Sequence, residues 1–300
     1  MRRAVFLFLL AFNPAPAAEL SLTDEGQLAF AEELLGRGEF FKAVLEYERL
    51  VHFFPSSPLA DDAAFGIGLA YDGAGEYGVA ATTYRRFLAD FPSSDLVPKA
   101  RLALGRSLAL GRDYDTARLE LDELASESPP VETSGRARIL AGLTYLPTWD
   151  LASAEGEFAR AARNFPGAPE GALGDELAKI AARRTELPRV NPGFASLASA
   201  LVPGLGQVIA GDFWDGVLAL TTNALWIGAT LWAAEEGEIP AAVLAGFVGA
   251  GFYLGNVYNT GQAAEEANRR AVAELAGEIT LSVRRWEAEN GTRLTLVPSP

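Results

Sequence analysis

Four prolines recur at a step of 37 residues: Pro55, Pro92, Pro129 and Pro166. An alanine precedes each at a fixed distance (Ala43, Ala80, Ala117, Ala154), and a small residue precedes each alanine (Ala31, Gly68, Gly105, Gly142). A period of this size marks a unit too small to bury its own hydrophobic face, which becomes stable only by stacking on copies of itself. No other feature of the chain restricts its fold so tightly.

Each unit reads as two helices and a turn. In the second unit Ala64, Ile67, Gly68 and Tyr71 share one helical face, Asp72 to Glu76 form a turn, and Ala80, Tyr84, Phe87 and Leu88 mark a second apolar face. Phe91-Pro92-Ser93-Ser94 ends it, because proline cannot continue a helix. The same order returns with Leu104, Gly105, Leu108 and Ala117, Leu121, Leu124, and again with Ala141, Gly142, Tyr145 and Ala154, Phe158, Ala161. The small residues have a packing reason: the first helix presents Gly or Ala to a bulky residue of the second, so that the two axes can approach. Residues 169–187 read as a polar capping helix for the last stacked face.

This pattern of small residue, aromatic, alanine, aromatic and terminal proline resembles the tetratricopeptide repeat. The phrase Phe54-Pro55-Ser56-Ser57-Pro58-Leu59-Ala60 is similar to envelope members of that class, of the outer-membrane-assembly and Tol-Pal coordinator types. The resemblance implies an all-α, tetratricopeptide-like helical solenoid that binds a protein or peptide. With the first helix of each unit on the concave side, the expected groove residues are Leu28, Phe65, Leu69, Leu102, Arg106, Ile139 and Leu143.

Composition narrows the chemistry. There is no cysteine, so disulfides, thiolate sites and a lipid-modified N-terminal Cys are excluded. The single histidine, His52, lies near a helical C-terminus and rules out multi-His metal ligation. The net charge of -14 makes nucleic acid a poor partner, since binding it depends on neutralising phosphates. No catalytic, cofactor or metal residues are expected, and the chain is read as non-enzymatic. At the N-terminus, Arg2 and Arg3, the apolar stretch Ala4 to Phe12 and Ala15-Pro16-Ala17 read as a secretory signal over residues 1–17. That predicts a bacterial envelope protein with its repeats, residues 18–187, in the periplasm.

After a linker at 188–193 the chain turns apolar. Segments 194–211, 217–234 and 239–258 contain no charged residue, and each of the last two is long enough to cross a bilayer core of ~30 Å. The short acidic turn Glu235 to Glu238 makes them a helical hairpin within a membrane module at 194–261, with spans at about 214–234 and 239–259. Gly251 and Gly255 place small residues at helical spacing, Trp214, Trp232, Tyr253 and Tyr258 sit toward segment ends, and Asn223 and Asn256 read as interhelical hydrogen-bonding groups. Pro203-Gly204-Leu205-Gly206-Gln207 should break 194–211 into two short pieces, with Gln207 satisfying freed backbone groups. That element, with Tyr253-Leu254-Gly255-Asn256-Val257-Tyr258, resembles a small family of bacterial envelope proteins and implies no known activity. Pro203, Gly204, Gly206, Gln207, Gly255 and Asn256 are the motif residues.

Residues 262–300 read as an amphipathic helix and tail, with a hairpin of Ile279–Arg285 against Arg293–Val297 around Asn290-Gly291 as the alternative. Export of the repeats makes the acidic turn cytoplasmic and Arg269-Arg270 periplasmic, against the positive-inside tendency; a module on or in the outer membrane escapes that conflict. The chain is thus expected to be an envelope scaffold, with repeats binding a partner protein and residues 194–261 engaging membrane lipid. The competing expectation is a membrane-module function, transport or assembly assistance, with the repeats as adaptor.

Overall fold

The computed structural model describes residues 23–127 and 130–296. Pro129, the signal segment at 1–17 and Val297 lie outside the described residues. Every regular element among the described residues is helical. The chain divides into two compact units, residues 1–97 and 98–300, each described by itself.

The first unit holds two helix pairs, α1 (Asp24–Gly36) with α2 (Phe40–Phe53) and α3 (Ala60–Gly73) with α4 (Tyr77–Asp90). The expected close approach is present. A Cβ at Gly68 would lie closer than 3.0 Å to the Tyr84 ring of α4. Gly66, on the other side of α3, receives the Tyr47 ring of α2 in the same way, and this contact stacks one pair on the next. Tyr47 and Tyr84 are buried, and burial pushes the Tyr47 phenol up to about 12. In this unit a serine two residues after Pro55 and another two after Pro92 close the pairs. Ser57 donates a hydrogen bond to Asp24 at 2.6 Å, and Ser94 donates to Asp61 at 2.6 Å, each joining the end of one helix pair to the start of its first helix.

The second unit continues the register with α5 (Val97–Leu110), α6 (Tyr114–Ser126), α7 (Val131–Leu143) and α8 (Leu151–Asn164). Gly105 packs on Leu121 and Gly142 on Phe158 at the same closeness. The turn between paired helices carries a left-handed residue at the same place each time: Gly38, Gly75, Arg112 and Trp149, with φ of 75°, 79°, 67° and 60°. The residue after it caps the second helix. Glu39 and Glu76 make no side-chain cap, whereas Asp113 and Asp150 are short enough to accept from the backbone N–H of Thr116 and Ser153. Ser153 also donates its hydroxyl to Asp150 at 2.6 Å, and these bonds hold the Asp150 carboxyl below the usual carboxylate range.

Beyond the repeats come α9 (Pro169–Ala182), α10 (Pro192–Leu201), α11 (Leu205–Ile209), α12 (Phe213–Glu235) and α13 (Ile239–Asn290). Residues 194–211 form two short helices, as the Pro-Gly break requires. The apolar segment at 239–259 and the amphipathic one after 262 are a single helix of 52 residues, about 78 Å long at 1.5 Å per residue. The hairpin alternative for 279–297 is overturned, since Ile279–Asn290 is the helical end of α13 and Gly291, with φ 67°, is its left-handed C-cap. Asn-Gly therefore terminates a helix here. The linker is tied down by Asn268 of α13, whose side chain accepts from Val190 N–H at 3.0 Å and donates to Val190 C=O at 2.9 Å.

Two outcomes follow from this packing. Gly142→Val would press a branched side chain into the Phe158 ring and should lower unfolding free energy by about 2–3 kcal/mol. Gly156→Ala, where a Cβ meets nothing within 4 Å, should raise it by about 0.5–1 kcal/mol; urea titrations followed by circular dichroism compare the two. Asp150→Ala should cost about 1 kcal/mol at neutral pH. Because the folded carboxyl titrates below its unfolded value of about 3.9, that difference should hold at neutral pH and shrink as pH falls below about 4. Melting curves of both proteins from pH 7 to pH 3 read it.

Candidate functional site

The expected groove residues fall into two environments. In the first unit Leu28 and Phe65 are half-buried and Leu69 is 37% exposed. Phe65 rests on the rings of Tyr84 and Phe87, with centroids 5.7 and 6.0 Å away, so its outer edge is presented on a fixed base. In the second unit Leu102 and Arg106 are half-buried, but Ile139 is 0% and Leu143 4% exposed.

What covers Ile139 and Leu143 is the protein itself. They belong to one hydrophobic cluster with Leu173 and Leu177 of α9 and with Leu275, Ile279, Val283 and Trp286 of α13. The Arg136 guanidinium of α7 lies over the Trp286 ring at 5.7 Å, and Arg183 pairs with Glu278 at 2.5 Å. After Gly291 the chain folds back: Glu287 accepts from the backbone N–H groups of Leu294 and Thr295, and Leu294 enters the same cluster. Residues 169–182, expected as a polar cap, thus bury Leu173, Leu177 and Ala181, and the amphipathic half of α13 forms the outer layer against them.

Sequence reasoning missed a cleft of about 830 Å³ within the first unit, between α2, α3 and α4. Exposed Leu45, Phe53 and Val79 border it, with Arg49, Arg86 and Asp90 among its polar lining and His52 at its edge. The available signal was three apolar residues lying off the faces that carry Ala43, Tyr47 and Leu50, and Ala80, Tyr84 and Phe87.

In the apolar module the glycines of the Pro-Gly-x-Gly-Gln element serve close backbone packing. Gly204 has φ 92°, and a Cβ there would collide with the Gly216 carbonyl of α12. A Cβ at Gly206 would collide with the Ala195 carbonyl of α10 and with Thr260 of α13. The short helix α11 is therefore wedged among three others. Ser199, rather than Gln207, satisfies the backbone freed by the break, accepting from Gly206 N–H at 3.0 Å. Gln207 instead joins α11 to α13, accepting from the Ser199 hydroxyl at 2.9 Å and donating to Asn256 Oδ1. Asn223, expected to bond between helices, donates to Ala219 C=O of its own helix at 2.7 Å. Tyr253 donates to Ala200 C=O, whereas Trp214, Trp232 and Tyr258 stand exposed. Gly255 faces open space, with nothing within 4 Å of where a Cβ would be.

Two helices, α12 and α13, are long and apolar enough to cross a membrane. A search of curated proteins returns no match. The tetratricopeptide repeat model matches residues 28–95 and again 68–132. Those stretches run from α1 to the start of α7, where small residues meet bulky ones at a constant step, and over them the chain carries tetratricopeptide repeats.

Proposed function

We propose that this protein is a non-enzymatic cell-envelope scaffold, exported with its repeats in the periplasm, whose repeat domain binds a partner protein while the hydrophobic hairpin anchors it to membrane. Repeats of this class generally serve protein–protein interaction. The observation that carries the anchoring is the bareness of the hairpin. Only 11% of the most apolar window of each long helix is buried inside the protein, and Trp214 and Phe247 are 78% and 80% exposed. Apolar surface on this scale needs a non-aqueous cover, and helices satisfy their own backbone in lipid.

In the first unit the partner surface comprises Leu28, Phe65 and Leu69. In the second, Leu102 and Arg106 are the candidates that keep some exposure, while Ile139 and Leu143 are sealed within the cluster that α9 and α13 share. The second reading, a membrane-module function with the repeats as adaptor, draws support from the hydrogen-bonded Ser199, Gln207 and Asn256 set inside an otherwise apolar module.

Crosslinking of the tagged full-length protein in fractionated envelopes, followed by quantitative capture, tests the scaffold reading. Leu69→Glu should reduce recovery of the crosslinked partner about tenfold, equivalent to ~1.4 kcal/mol, with an unchanged melting curve. Equal recovery from a folded Leu69→Glu variant overturns this surface, and recovery of the wild type in the aqueous fraction overturns the anchor.

A further inference from the structure

A groove of about 610 Å³ runs between α12 and α13, with Gln207 of α11 at one end. Its lining is graded. Asp215, Gln207, Asn256 and Asn259 lie toward the start of α12, and Leu218, Val248, Gly251 and Phe252 lie deeper in the hairpin, where Thr222 and Asn223 are the polar exceptions. Gly251 and Gly255 form an open floor, since a Cβ on either would meet nothing within 4 Å.

One polar group there is left incomplete. Gly206 N–H donates to Ser199 Oγ, the Ser199 hydroxyl donates to Gln207 Oε1, and Gln207 Nε2 donates to Asn256 Oδ1. Because every donor in this series is committed, the orientation of the Asn256 amide follows from the network. The series runs one way and ends on Asn256 Nδ2, a donor with no partner on a side chain only 8% exposed. An unpaired donor in such surroundings is costly, by about 1–3 kcal/mol; the nitrogen is closed off from the surface, so an acceptor in the groove removes that cost only once the Asn256 amide turns toward it.

We propose that this groove binds a membrane lipid with an amine-bearing headgroup. The lipid's neck oxygens accept from Asn256, its ammonium meets Asp215, and one acyl chain lies along Gly251, Val248 and Phe252. The charge pattern selects the head: Asp215 is the charged residue of the lining, and no Lys or Arg lines it. An anionic glycerol headgroup would face a carboxylate with no cation to answer it. The graded lining matches an amphiphile, and the exposed apolar residues bordering the groove put lipid within reach. The inference rests on α12 and α13 being membrane-embedded.

Full-length protein is floated on vesicles containing phosphatidylethanolamine and phosphatidylglycerol, and lipid retained after detergent extraction is counted by native mass spectrometry. The wild type should float and retain phosphatidylethanolamine about tenfold over phosphatidylglycerol. Gly251→Leu combined with Gly255→Leu builds into the floor from two positions where a Cβ meets nothing within 4 Å; this variant should float equally well and lose the retained lipid about tenfold. Asp215→Asn should keep lipid but lose the preference for the amine. Retention by the filled-groove variant equal to wild type, or no lipid on a wild type that floats, overturns the lipid site and leaves the anchor standing. A wild type that fails to float overturns the anchor and the site with it.

Discussion

The contact of a glycine with a bulky side chain sets the spacing of the paired helices. At Gly68, Gly105 and Gly142 the absence of a Cβ lets Tyr84, Leu121 and Phe158 lie directly on the backbone of the neighbouring helix. Each contact joins residues 16 apart, so it is satisfied within one unit and repeats without reference to the rest of the chain. The turn inside each pair is under matching constraint. Where Gly38 and Gly75 adopt the left-handed conformation freely, Arg112 and Trp149 adopt it at a cost of about 1–2 kcal/mol. In those two turns the next residue is an aspartate whose side chain caps the following helix, which offsets part of the strain.

The apolar module uses glycine for another purpose. Gly204 and Gly206 bring backbone against backbone carbonyls, Gly216 and Ala195, and so hold α11 among α10, α12 and α13. Polar side chains are then committed in place: Ser199, Gln207, Asn256 and Thr260 bond to one another across three helices. Such a network fixes one arrangement of helices whose outer surfaces, being largely apolar, would otherwise slide.

The repeats were legible because their determinants are local and recur. Proline, alanine, small residue and bulky side chain keep one step, and the helix break at Pro203-Gly204 is equally local. What escaped the sequence depends on residues far apart in the chain. Ile139 and Leu143 have the spacing of an open helical face, and nothing near them says that Ile279 and Trp286, more than 130 residues later, join the same buried cluster. The continuity of α13 was obscured because its composition changes from apolar to charged near Gly261 while its backbone does not change at all. Asn223 and Gln207 illustrate a further limit: a polar residue in an apolar run announces that a partner is needed, without saying which one.

Since α13 is one uninterrupted helix, its two halves share a single axis and a single phase. Successive residues turn by 100°, so the direction in which Gly251 and Gly255 face is locked to the direction in which Ile279, Val283 and Trp286 meet α7 and α9. The chain between Gly261 and Val272 therefore acts as a spline. Apart from the buried Ala264 and from Asn268, which holds Val190, its composition is free to vary, but its length sets an angle, and one residue added or removed there would turn the apolar half by more than a quarter of a revolution against α7 and α9.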